Sequence, residues 1–117
     1  MHSVRVFDDD ADLLEMVVLA LSADGFATTC IPDGALFLDI VKRIKPDLIL
    51  LDVFPGPFDG RNLCRHLKTE SSYQHIPVIL YSAGNIPQSS IAESKANLVI
   101  TKPFEIKQLI QKIKSLL

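Results

Sequence analysis

Long hydrophobic runs are missing from this chain. The apolar stretch Leu48-Ile49-Leu50-Leu51 stops at Asp52, far short of the roughly 20 residues that a membrane-spanning helix needs. Met1-His2-Ser3 has no signal-peptide character, so a cytoplasmic protein is expected. A surplus of positive charge is also missing. The 12 Lys and Arg against 14 Asp and Glu give a formal net charge of -2, and the basic residues are dispersed, which excludes a basic stripe for nucleic acid. Cysteine is scarce, and Cys30 and Cys64 lie in apolar segments without metal-ligand spacing. They read as reduced, packed thiols, neither of them a nucleophile. His2, His66 and His75 are scattered, with no Cys or carboxylate at ligand spacing, and receive no chemistry. Repeats, low-complexity tracts and linkers are absent too, so residues 1–117 read as a single domain large enough to bury its own core.

What is present is an alternation of short apolar runs with segments of helical period. Ser3–Phe7, Ala27–Ile31, Asp47–Leu51, Pro77–Tyr81 and Asn97–Thr101 read as strands. The third is apolar on both faces, which is the mark of a central parallel strand. Between them Asp12–Asp24, Ala35–Ile44, Gly60–Thr69, Pro87–Lys95 and Glu105–Leu117 read as helices, stopped by breakers such as Gly25 and Pro46. Right-handed crossovers then favour an α/β, (βα)5 flavodoxin-like fold. Its parallel five-stranded sheet has the order 2-1-3-4-5, with helices on both faces. The fourth helix, with Pro87 at its start and the weak formers Ser89 and Ser90, reads as short or mobile. In the last helix Ile106, Leu109, Ile110, Ile113 and Leu117 form one core-facing stripe, opposite Lys107, Lys112 and Lys114.

Four segments place a charged or hydroxyl residue where an apolar run gives out: Phe7-Asp8-Asp9-Asp10, Leu51-Asp52-Val53, Tyr81-Ser82-Ala83 and Thr101-Lys102-Pro103. Residues just past the carboxyl ends of parallel strands converge on one crevice. Asp8, Asp9 and Asp52 in one crevice repel, by roughly 3 kcal/mol for a pair about 5 Å apart, so the cluster demands a cation. Oxygen-only ligands suit Mg²⁺, which binds through one or two carboxylates and keeps several waters. Asp10 and Asp12 read instead as a solvated loop that caps the first helix.

Over its whole length the chain resembles the receiver domains of two-component response regulators, of the chemotaxis-regulator type. The segments that carry the resemblance are Val6-Phe7-Asp8-Asp9-Asp10, Pro46 to Asp52, Asp59-Gly60, Pro77 to Ala83 and Lys102-Pro103-Phe104. The resemblance implies that Asp52 is the phosphoacceptor, receiving a phosphoryl group from a sensor histidine kinase, a phosphotransfer protein or a small phosphodonor. Asp9 and Asp52 would ligate Mg²⁺ directly, Asp8 through water, and Phe54 through its backbone carbonyl. Ser82 and Lys102 would contact the phosphoryl oxygens, Lys102 aimed by a cis bond to Pro103. Such a domain is a switch rather than an enzyme, and the face made by the fourth helix, fifth strand and fifth helix would meet an unnamed downstream protein.

Some positions depart from the family pattern. Pro55-Gly56-Pro57 flanks the site where the family places its loop proline, and Pro55 biases Phe54 toward an extended backbone. Val99 stands where an aromatic switch residue is usual, and Lys95-Ala96 where Gly-Ala is common. These departures raise an alternative reading, a receiver-like docking scaffold that needs no phosphorylation. Two other classes fail on specific residues. A haloacid-dehalogenase-type phosphatase needs a second Asp where Phe54 stands, and an FMN carrier needs a Ser/Thr/Gly-rich phosphate loop where this chain has aspartates.

Overall fold

The computed structural model describes residues 2–8, 10–30, 36–53, 59–82, 87–101 and 104–117. Strands and helices alternate strictly: β1 (Ser3–Phe7), α1 (Ala11–Ala23), β2 (Ala27–Cys30), α2 (Phe37–Ile44), β3 (Leu48–Asp52), α3 (Gly60–Lys68), β4 (Val78–Ser82), α4 (Gln88–Ser94), β5 (Leu98–Thr101) and α5 (Ile106–Leu116). The strands form one sheet of order β2-β1-β3-β4-β5, and every neighbouring pair is parallel. This is the expected fold. β3 is central, and its five residues are all buried.

Alternation along the strands divides the core into two layers. Val4, Val6, Leu48, Leu50, Ile79 and Tyr81 face Val17 and Leu21 of α1 and Leu109 and Ile113 of α5. Ile49, Leu51, Val78 and Leu80 face Phe37 and Val41 of α2 and Cys64 and Leu67 of α3. Burial pushes the Cys64 thiol up to about 11, in keeping with an inert packed cysteine.

Boundaries shift from the sequence reading at informative places. β3 and β4 each run one residue further than expected, so Asp52 and Ser82 are the last residues of their strands rather than the first beyond them. The backbone N–H of Val53 donates to Tyr81 at 3.0 Å and so continues the ladder between β3 and β4. α1 ends ahead of Gly25, which takes a φ of 90° that a glycine adopts without penalty. α2 and α4 end instead on left-handed lysines, Lys45 at φ 52° and Lys95 at φ 62°. α4 spans seven residues and is short, as expected. In α5 the apolar stripe closes with Leu116, whereas Leu117 is 39% exposed.

At the opposite end of the sheet from the crevice, Lys68 is buried. Its ammonium donates to the carbonyls of Gln74 (3.1 Å) and Ile76 (2.7 Å) and to Asn97 Oδ1 (2.8 Å). Asn97 Oδ1 also accepts from Val78 N, so one lysine ties the end of α3 to the starts of β4 and β5.

Candidate functional site at the carboxyl edge of the sheet

Register decides which residues meet. Val6 pairs with Leu50, Leu50 with Ile79, and Asp52 with Tyr81. Two residues beyond Val6, Leu50 and Ile79 the same face of the sheet carries Asp8, Asp52 and Tyr81, one from each of three adjacent strands. Asp8 is 4% exposed and Asp52 7%, so two carboxylates are sunk side by side at the sheet edge. Ser82, 5% exposed, follows Tyr81 and pairs with Thr101. Three of the predicted site residues, Asp8, Asp52 and Ser82, are thus brought to one edge. Asp9, Phe54, Lys102 and the Lys102-Pro103 bond lie outside the described residues.

Local structure explains how each is held. Asp8 Oδ1 accepts from the backbone N–H of Asp10 at 3.0 Å, a turn that fixes the carboxylate as the chain leaves β1. Asp10 then caps α1, accepting from Asp12 N (3.1 Å) and Leu13 N (3.2 Å), as the sequence predicted. On the far side of β3, the N–H of Gly60 donates to the carbonyl of Val53 at 2.6 Å. Asp59 caps α3 by accepting from Arg61 N (2.9 Å), and its carboxylate is gripped by the Arg61 guanidinium at 2.8 Å. Arg61 also donates to Ser90 Oγ at 3.0 Å, linking the first turns of α3 and α4. The hydrogen-bonded guanidinium of Arg61 holds the Asp59 carboxyl below the usual carboxylate range.

Two contributors escaped the sequence reading. Gly60 was legible as part of a motif, but its role appears only in three dimensions, where it lies against the backbone of Asp52. Tyr81 read as an ordinary strand residue, and its polar tip was the available signal. Its ring sits in the α1/α5 layer, edge-on to Phe104 with centroids 6.0 Å apart. Burial above all, then the charge and hydrogen-bonding reach of Asp8, then the charge of Asp52, raise the phenol far above its ordinary pKa, so it stays protonated.

The donor set is suited to a hard cation. Asp8 and Asp52 offer carboxylate oxygens, the donor type that Mg²⁺ selects. Two buried like charges are costly unless a cation compensates them. Among the described residues no three His, Cys, Asp or Glu side chains gather into a larger group.

A doubly wound five-stranded α/β domain with acidic residues at its strand-end crevice is the class these observations define. The chain belongs to the response regulator receiver domain family, whose model matches residues 4–114. It is 34% identical over 114 residues to the DNA-binding response regulator MtrA of Mycolicibacterium paratuberculosis, covering 96% of this chain and 49% of that protein. With the transcriptional regulatory protein CseB of Streptomyces avermitilis it shares 39% identity over 118 residues, 99% of this chain and 48% of the relative. The chain therefore spans about half the length of the curated relatives it matches. Among solved structures, the signal receiver domain of a signal transduction histidine kinase from Syntrophus aciditrophicus superposes with a TM-score of 0.91 at 29% identity, over 99% of this chain and 89% of that one.

Proposed function

We propose that this receiver domain is a phosphorylation-controlled switch in which Asp52 accepts the phosphoryl group. The observation that carries the reading is the burial of Asp8 and Asp52 as neighbours at the ends of β1 and β3, with Ser82 at the end of β4. Asp52 Oδ attacks the phosphorus of a histidine kinase's or phosphotransfer protein's phosphohistidine. An O–P bond forms, the P–N bond breaks, and the imidazole leaves with its electron pair. Mg²⁺, held directly by Asp9, Asp52 and the Phe54 carbonyl and through water by Asp8, would supply neutralisation of the phosphoryl oxygens. Positioning and electrostatics dominate such transfers. Ser82 donates a hydrogen bond to a phosphoryl oxygen, and Lys102 contributes the fixed positive charge.

The domain acts as a stoichiometric phosphoacceptor and not as an enzyme. Added charge at the crevice biases a two-state element that a downstream protein reads at the face of α4, β5 and α5. Val99, half-buried against the α2/α3 layer, has no ring to swing, so the shift must travel by another route. We assign no direct nucleic-acid contact to this domain, whose basic residues are dispersed. Among the described residues no helix is long and apolar enough to cross a membrane, which fits a cytoplasmic setting.

The test is incubation with a small acyl phosphodonor and Mg²⁺, followed by intact mass and peptide mapping. One phosphoryl group on Asp52, absent from Asp52→Asn and absent when Mg²⁺ is chelated, is expected. An unmodified wild-type protein would favour the docking scaffold instead.

A further inference from the structure

At the level of the crevice, the α1/α5 face of the sheet ends in a row drawn from β1, β3 and β4: Asp8, Asp52 and Tyr81. Two members are the carboxylates already assigned to the metal. The third is a tyrosine, where strand pattern alone asks only for something apolar.

Its ring is not free to leave. Tyr81 is 1% exposed, packed in the α1/α5 layer with Ile79 and Ile100, and braced edge-on by Phe104 at 6.0 Å. The phenol oxygen itself is shielded from solvent. A buried hydroxyl is costly unless it meets polar groups, and the carboxylates of Asp8 and Asp52 share its row, close enough for their charge to act on the phenol. From α1, Val17 and Leu21 line the same layer, and from α5, Leu109 and Ile113, all of them apolar.

We propose that Tyr81 is a positioning residue of the metal site: its phenol donates to the Asp8 carboxylate and fixes which oxygen that carboxylate turns toward the cation. This rests on the reading of Asp8 and Asp52 as the Mg²⁺ site. Asp8 is then held from two directions, by the backbone N–H of Asp10 on one oxygen and by the phenol within the layer below. Carboxylates that hold a metal, directly or through water, are ordinarily oriented by such outer partners, and losing one weakens metal affinity by on the order of tenfold or more.

The chain has two tyrosines and no tryptophan, which makes the test direct. In a Tyr73→Phe background Tyr81 is the sole tyrosine, and Mg²⁺ titration should give a saturable change in its near-ultraviolet absorbance as the cation draws charge from Asp8. Calorimetric titration should show Tyr81→Phe, which keeps the ring, binding Mg²⁺ on the order of tenfold more weakly than wild type. A saturated Tyr73→Phe protein with an unchanged tyrosine spectrum would overturn the inference, whether or not Tyr81→Phe folds. So would equal affinity in Tyr81→Phe and wild type. In both cases the Mg²⁺ site itself would stand. A wild-type protein that binds no Mg²⁺ would instead overturn the metal site and the inference together.

Discussion

Gly60 lies so close to the backbone carbonyl of Asp52 that a Cβ on it would collide with that oxygen. The first residue of α3 and the last residue of β3 are therefore pressed together, backbone against backbone. The N–H of Gly60 closes the contact by donating to Val53. Glycine is required here by proximity, since the obstacle is a main-chain atom that cannot rotate away.

Replacing Gly60 with Ala must move either the start of α3 or the end of β3. Overpacking of this kind typically costs about 1 to 3 kcal/mol. We expect a loss in that range by urea denaturation, together with reduced phosphorylation of Asp52 because its strand end is displaced. A Gly60→Ala variant as stable as wild type would contradict the contact.

Metal should stabilise the wild-type fold and its absence should be felt at Asp52. If Mg²⁺ binds only the native state, ten times its dissociation constant adds about 1.4 kcal/mol. Asp52→Ala removes one of the two buried like charges, so without metal it should melt higher than metal-free wild type. Melting curves in EDTA and in saturating MgCl₂ check both statements, and a wild type indifferent to Mg²⁺ refutes the first.

The Asp59–Arg61 pair gives a pH dependence of definite sign. Arg61 lowers the folded pKa of Asp59, so the pair's contribution is complete above the unfolded carboxylate value and disappears as pH falls through the folded one. Arg61→Met should destabilise the protein at neutral pH. Between about pH 5 and pH 1 the variant should lose less further stability than wild type, because it has no such contribution to lose. Parallel acid titrations by circular dichroism would show the two curves converging.

Lys95 ends α4 with φ 62° and ψ 25°, a left-handed conformation. A side chain in that region costs roughly 1 to 2 kcal/mol, which glycine avoids while losing some entropy on folding. Lys95→Gly should therefore be net stabilising by roughly 0.5 to 1 kcal/mol, seen as a higher melting temperature. Lys95→Ala, which keeps the Cβ, should not reproduce the gain.

The order of elements was legible because each carries its own period. The run Leu48 to Leu51 has no polar face, and a strand buried on both sides belongs to the interior of such a sheet and not to its edge. The helix stops at Gly25 and Pro46 and the cap at Asp10 rest on the conformations open to single residues, so they too were local. The strand-end residues Asp8, Asp52 and Ser82 could be chosen because carboxylates and hydroxyls at the close of apolar runs are out of place in a core.

Tertiary structure alone decided what those residues touch. Whether β3 ended at Leu51 or at Asp52 depended on the N–H of Val53 finding the carbonyl of Tyr81, on a strand that begins only at Val78. The closeness of Gly60 to Asp52 depended on the N–H of Gly60 meeting the carbonyl of Val53, across a loop whose length alone does not set it. The row of Asp8, Asp52 and Tyr81 depended on parallel register across three strands. Sequence determines the alternation of faces within each strand, but only pairing sets one strand's level against the next, and that level puts a tyrosine beside two carboxylates.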